Sequence, residues 1–598
     1  MFQSFEAKSS PDQGPPRLKA LRAQMAKSDV DAFVVPRADA HQGEYVAPCD
    51  ERLAWLTGFT GSAGFAAITQ DLAGVFIDGR YRVQVKSQVA DEFTPVHWPE
   101  IKLGPWLVKY LKKGNKVGID PWLHTVTEVR GLRAALESAG VSLVMTPNLV
   151  DAVWDNRPDR PKAPLLVHSV EVAGEGSADK RARLASDLKD QGSDAVVLTL
   201  PDSICWLLNI RGSDIPRNPL AQGFAVLHGS GKVAFFTNAT ADEAVNAHLG
   251  SNVSLHPYDG LAAYLETLSG TVQIDPGSAP EAVHAVLVAV DGIEIVEGDD
   301  PCVLPKARKT QAEIAATRGA HLRDGAAMVE FLSWFDEHAP SGALTEIDAA
   351  KSLEGFRRAT NTLHDISFDT ISGAGPNAAM CHYRVTEDTN RAILPGELYL
   401  VDSGGQYRDG TTDITRTIIV GNPTDEHRAC FTRVLQGMIA ISCARFPRGL
   451  AGRDLDALAR APLWRAGLDY DHGTGHGVGV FLSVHEGPQR LSRISEVPLQ
   501  PGMILSNEPG YYREGAFGIR IENLIVVRQA ETLGDGRDQL DFETLTFAPI
   551  DLRLVDVELL SKFERDWLND YHLQVREKLQ SRVSKSAKDW LNAATRPI

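Results

Sequence analysis

A chain of 598 residues exceeds what one hydrophobic core organises, so about three domains are expected. Its formal net charge of −17 argues against a nucleic-acid partner, because phosphate affinity comes from clustered Lys and Arg. No stretch approaches the run of about 20 apolar residues that spans a bilayer, and the N-terminus MFQSFEAKSSPDQGPPRL lacks the apolar core of a secretory signal. No membrane partner is therefore expected, and the cytoplasm is the default location. The cysteines are scattered with no C-x-x-C pair, which reads as free thiols in a reducing compartment.

Residues 1–17 are polar and proline-rich and are expected to form a flexible tail. From about Leu18 a helix leads into DAFVVP (31–36), an apolar run of the kind that fills a buried strand, followed by LAWLTGFTGSAGFAAI (53–68) and GVFIDGRY (74–81). The same order returns in DAVVLTL (194–200), CWLLNIRGSD (205–214), GFAVLH (223–228) and KVAFFTN (232–238). This predicts a weak duplication of one α/β domain, at 18–160 and again at 165–303, with the proline-rich DNRPDRPKAP (155–164) as linker. A third domain, 304–550, opens with a long helix within 299–338 that has a charged face and an apolar stripe. Residues 551–598 read as two amphipathic helices, which either cap the third domain or join a dimer interface. The fold class is α/β (α+β).

The third domain concentrates acidic and histidine residues in strand and glycine-loop contexts. Asp402 ends the apolar run of YLVDSGG (399–405), and Asp413 sits in DGTTDITRTIIV (409–420). His472 and His476 lie in HGTGHGVG (472–479), Glu508 ends the strand-like GMILSNEPG (502–510), and FGIRIENLIVV (517–527) places Arg520 and Glu522 opposite Ile519 and Ile521. One acidic residue near a turn is usually solvated or a cap. Four gathered together are too costly to bury without cations, and two divalent ions would match their charge. A set rich in oxygen with a single imidazole suits hard ions and favours Mn2+; a structural zinc site would want four Cys or His ligands. Glu508 and Glu522 flank Gly515 symmetrically, so a hairpin there sets them side by side. Asp402 and Asp413 become neighbours if their turn centres on Tyr407–Arg408. A tight turn at Asp409–Gly410 would instead separate them by roughly 13 Å, so a wider loop or bulge is expected.

In that order, Asp402, Asp413, His476, Glu508 and Glu522 resemble the metal-ligand set of the pita-bread metallopeptidases. DGTTDITRT, HGTGHGVGVFLSVHEGP and SNEPGYYREGAFGIRIEN look like the cytosolic Xaa-Pro aminopeptidases of the long, three-domain kind, as do LTGFTGSAG (56–64), NIRGSDIPRNP (209–219) and DWLNDYH (566–572). The resemblance implies two creatinase-like N-terminal domains, a pita-bread catalytic domain and a helical C-terminal extension. It implies that Asp402 holds one ion, that His476 and Glu508 hold the other, and that Asp413 and Glu522 bridge them. It implies substrate contacts for His382 (in PNAAMCHYRV) and His485 (in VHEGP), an active-site role for His472, and an orienting role for Arg520. Glu508 would shuttle a proton as a hydroxide shared by the two ions attacks the peptide. The implied substrates are peptides with proline in the second position, and the implied assembly is a homodimer. The rivals are a dipeptidase restricted to Xaa-Pro and, in another class, a pita-bread module that only binds proteins; relatives of that second kind have lost the ligands that this chain keeps.

Overall fold

A computed structural model describes every residue except Lys8 and Asp535. The chain forms two compact units, one of Lys8–Val170 with Glu175–Val303, the other of Met1–Ala7, Glu171–Gly174 and Leu304–Ile598.

The first unit holds two six-stranded sheets of one topology. In the first, strand Ala32–Pro36 lies centrally, antiparallel to Phe65–Thr69 and parallel to Lys116–Ile119. In the second, Ala195–Leu198 takes that place between Gly223–His228 and Gly270–Ile274, with the same directions. The outer strands correspond as well, so the duplication expected from the strand order is a property of the fold. The central strands are buried along nearly their whole length, which is why they read as continuous apolar runs and not as alternating ones. Buried His41 links the two halves: its Nδ1 lies 2.9 Å from the Thr199 carbonyl oxygen and its Nε2 2.9 Å from the Tyr258 hydroxyl. Trp55, stacked on Trp154, and Trp206, beneath the Lys180 ammonium, are packing residues.

The second unit begins with packed chain. Phe5 is buried against Ile347, Ile371 and Tyr383, and its carbonyl accepts from Glu387 N at 2.8 Å, so the first residues are not the free tail that their composition suggests. The long helix is Gln311–His338, starting at Thr310, where the threonine hydroxyl and the Glu313 carboxylate exchange bonds with each other's backbone N–H. Helices Gln311–His338 and Glu346–Arg358, and later Asp425–Ser442 and Gly452–Trp464, each precede a set of mainly antiparallel strands. Those strands form two three-stranded sheets, a six-stranded sheet and a hairpin, which together curl around the acidic residues. The closing helices Lys562–Leu579 and Lys585–Ala594 bury Leu568, Val575, Leu579 and Leu591 in the same core as Phe431, Leu435 and Ile519. They cap this unit, as one of the two roles expected from sequence requires.

Candidate metal centre

Two hairpins bring the four carboxylates together. In the first, Leu398–Ser403 pairs with Ile414–Ile419, setting Asp402 opposite Thr415. The register continues through Gln406↔Thr411 and Tyr407↔Gly410, so the turn is the two residues Arg408–Asp409. This corrects the expected wider loop. The aspartates are two residues out of register, and because side chains alternate along a strand, Asp413 falls on the same face as Thr415 and Asp402. In the second hairpin Asn507 pairs with Asn523 and Gly510 with Arg520, so Glu508 and Glu522 stand across from each other as the symmetry about Gly515 predicts. His476 sits not in the expected glycine loop but in the short strand Gly475–Gly477, where Gly475 lies so close to strand Ile504–Asn507 that an added Cβ would meet the Ser506 carbonyl at 1.9 Å.

Ligand-type atoms of Asp402, Asp413 and Glu522 lie within 4.8 Å of one another, as do those of His476, Glu508 and Glu522, and those of Asp413, His476 and His485. His476 Nδ1 is 2.9 Å from the Gly477 carbonyl, which holds the proton there and leaves Nε2 as the lone-pair nitrogen. That Nε2 is 3.4 Å from Glu508 Oε1 and 3.6 Å from Asp413 Oδ2. The buried oxygens Asp402 Oδ1, Asp413 Oδ1 and Glu522 Oε1 have no hydrogen-bond partner. Burial and mutual repulsion hold Asp413 and Glu522 well above the usual carboxylate range and push Glu508 up to about 7. Unpartnered anionic oxygens around one imidazole fit divalent cations: nothing else in the site satisfies them.

The surroundings orient these groups. Arg520 donates to Asp402 Oδ2 at 2.6 Å and to the Tyr512 hydroxyl at 2.6 Å, and that hydroxyl lies 2.9 Å from His472 Nε2. Thr415 Oγ1 donates to Glu522 Oε2 at 2.8 Å, and Ser506 Oγ to Glu508 Oε1 at 3.0 Å. His485 packs edge-on to His476 with ring centroids 4.3 Å apart. His382 follows the helical turn Gly375–Ala379, whose Ala378 carbonyl abuts Gly518 beside Arg520.

Three supporting residues escape a sequence reading. Fully buried Glu346 accepts from Ala374 N at 2.7 Å, Asn377 Nδ2 at 3.1 Å and the Tyr383 hydroxyl at 3.1 Å, clamping the loop that bears His382. Buried Lys306 (3.0 Å) and Lys309 both pair with Glu486, the neighbour of His485. A lone Glu in a helix and two Lys in a connector look solvated; only the VHEGP string marks one partner.

The chain is 40% identical to a probable Xaa-Pro aminopeptidase P of Coccidioides posadasii, over 99% of this chain and 95% of that relative. This chain belongs to the Xaa-Pro aminopeptidase P family. A probable Xaa-Pro aminopeptidase P of Laccaria bicolor is likewise 40% identical, over 97% of this chain and 93% of its own. Within the family architecture, the metallopeptidase family M24 model matches residues 315–529, creatinase/prolidase N-terminal domain models match 17–153 and 156–313, and a C-terminal region of M24 peptidases matches 538–598. The X-prolyl aminopeptidase of Caenorhabditis elegans, described as a cytosolic enzyme with a di-nuclear active site, superposes with a TM-score of 0.92 at 36% identity, covering 98% of this chain and 99% of its own. An Xaa-Pro dipeptidase from Bacillus anthracis covers only 63% of this chain, with a TM-score of 0.50 at 26% identity. Two creatinase-type N-terminal domains, the pita-bread M24 domain and a helical C-terminal region thus make up the Xaa-Pro aminopeptidase P architecture of this chain. Among the described residues no helix is long and apolar enough to cross a membrane.

Proposed function

We propose that this chain is a dinuclear metalloaminopeptidase that releases the first residue from peptides whose second residue is proline. The observation that carries the reading is the set of partnerless buried oxygens of Asp402, Asp413 and Glu522, grouped with His476 and Glu508, in a chain similar end to end to an enzyme with a di-nuclear active site. Asp402, Asp413, Glu522, His476 and Glu508 would hold the two ions, with Asp413 and Glu522 shared, and the hard, oxygen-rich set favours Mn2+. Bound there, such ions offset the carboxylate charge, polarise a carbonyl and acidify a water.

The remaining work falls to the chain. Glu508 is the half-buried carboxylate of the set, and its affinity for a proton near neutrality suits it to take one from the attacking water and pass it to the proline nitrogen. His485 is the donor toward the developing oxyanion, and such a donor contributes a few kcal/mol. His382 holds the substrate and the leaving imino group, and His472, tied through Tyr512 and Arg520 to Asp402, lines the pocket. Proline needs a dedicated enzyme because its amide is tertiary and offers no N–H to ordinary proteases. We further assign the chain to the cytosol, as for the C. elegans enzyme, and propose the homodimer that the family resemblance implies.

The test is hydrolysis of Xaa-Pro-Pro tripeptides against Xaa-Pro dipeptides, before and after chelation. Release of Xaa from the longer peptides, lost on chelation and restored by Mn2+, is expected. Cleavage confined to dipeptides means an Xaa-Pro dipeptidase, and chelation without effect removes the metal from the mechanism.

A further inference from the structure

The string DWLNDYH at 566–572 takes no part in the centre described above, yet its last two residues point into the fold. Tyr571 is 3% exposed and His572 1%. His572 Nε2 accepts from Ile550 N at 3.0 Å. The Tyr571 hydroxyl lies 3.2 Å from Ala548 N, 3.0 Å from the Ala548 carbonyl, 3.2 Å from that of Thr546, 3.3 Å from Asn523 Oδ1 and 3.0 Å from Arg416 Nη2.

Arg416 is the unusual partner. It sits on strand Ile414–Ile419, three residues after Asp413, and is 2% exposed. Its guanidinium donates to six acceptors, all neutral: the carbonyls of Pro549 (3.0 Å), Thr415 (2.8 Å), Glu522 (2.6 Å) and Ala548 (2.9 Å), Asn523 Oδ1 (2.9 Å) and the Tyr571 hydroxyl (3.0 Å). A buried cation with no carboxylate on it persists only where every N–H is matched by a well-placed dipole. One nitrogen, Nη1, serves both Thr415 and Glu522. Thr415 lies on strand Ile414–Ile419 and Glu522 immediately precedes strand Asn523–Gln529 of another sheet, so the guanidinium ties the Asp413 segment to the Glu522 segment directly behind the carboxylates.

We propose that Tyr571 is a positioning residue of the metal centre: by seating the Arg416 guanidinium, the C-terminal extension sets the distance between Glu522 and Asp413. The extension therefore acts on metal affinity as well as on packing. This rests on the reading of Asp413 and Glu522 as shared ligands. Partners hydrogen-bonded to a metal ligand typically govern about 10- to 100-fold in affinity, and Tyr571, which reaches Glu522 through Arg416, is placed at the lower end.

The experiment compares the full-length parent with Tyr571→Phe and with Leu568→Ala. Leu568 lies on the same helix, is fully buried in the core and contributes no polar group to the strands. Each metal-free protein is titrated with Mn2+ alone by calorimetry, its bound metal is counted by elemental analysis, and its melting temperature is recorded. Tyr571→Phe is expected to weaken Mn2+ binding by about ten-fold or more. Leu568→Ala is expected to bind as the parent does despite a comparable or larger drop in melting temperature. Unchanged binding in Tyr571→Phe, or equal weakening in both variants, overturns the proposal. A parent that takes up no Mn2+ overturns the two-metal reading itself and the proposal with it. Should Tyr571→Phe not fold, Arg416→Lys keeps the charge but loses the fork; the same weakening is expected, and parent-like binding overturns the proposal.

Discussion

The hairpin carrying Asp402 and Asp413 turns through two residues and sets its aspartates two positions out of register; the one carrying Glu508 and Glu522 turns through three and sets its glutamates directly across. The first is shut tight. Asp402 and Asp413 are 7% and 3% exposed, and Gly404 lies so close to the facing chain that a Cβ would meet the Thr412 carbonyl at 1.9 Å and Ser367 Oγ at 2.2 Å. The second is open at its tip, where Gly515 has φ +76° and no atom within 4 Å of an added Cβ, and its Glu508 remains half-buried. The first hairpin thus supplies a rigid wall of charge, and the second carries the one half-buried carboxylate of the four, the one proposed to meet substrate and exchange protons.

Substitutions can break that division of labour. The largest effect is expected from Asp413→Asn, which removes a carboxylate proposed to be shared by the two ions: activity on Xaa-Pro-Pro should fall about a thousand-fold or more, equivalent to about 4 kcal/mol. In the metal-free state the same variant should melt higher than the parent, because a buried and repelled carboxylate is gone. Glu508→Gln leaves Asp402, Asp413 and Glu522 grouped, so elemental analysis should still find about one ion per chain while kcat drops about a hundred-fold. Loss of both ions would mean that the open hairpin is as structural as the closed one.

Backbone changes sharpen the contrast. Gly404→Ala should cost about 3 kcal/mol in chemical denaturation, since the clash is with backbone that cannot yield. Glu346, outside both hairpins, provides a pH reference for the His382 loop. Burial pushes its carboxyl up to about 7 from an ordinary value of 4.5. A raised carboxyl pKa means that the cost of ionising it is absent below about pH 4.5 and complete above about pH 7. Relative to the parent, Glu346→Gln should therefore gain stability between pH 5 and 8, approaching about 3 kcal/mol; a difference that stays flat with pH would mean the buried carboxyl is not perturbed. The smallest effect is expected at Gly515→Ala, about 1 kcal/mol for a side chain in the left-handed region with open space around it.

Much of the architecture could be read from local pattern. The doubled strand order foretold two sheets of one topology, and the symmetric spacing of Glu508 and Glu522 about Gly515 foretold their pairing, because a hairpin with a glycine tip has few registers to choose from. The aspartate hairpin was less legible. DGTTD offers more than one turn position, and the actual turn at Arg408–Asp409 is accompanied by close packing of Gly404 on Ser367 and of Gly405 on Leu363, contacts far apart in sequence. The first seven residues misled for a related reason: their polar composition conceals Phe5, which finds an apolar site more than 300 residues away.

By itself the sequence determined the inventory of chemistry, namely four acidic residues and the histidines in strand and glycine-loop strings, and with it the family. Tertiary structure decided which oxygens are left without partners, which nitrogen of His476 faces the carboxylates, and that Glu346, Lys306, Lys309 and Arg416 are buried supports and not solvated charges. The physical reason is that an ionisable side chain carries no local signature of its dielectric surroundings. Burial, and the partners that make it tolerable, exist only once distant strands and the C-terminal helices have closed around it.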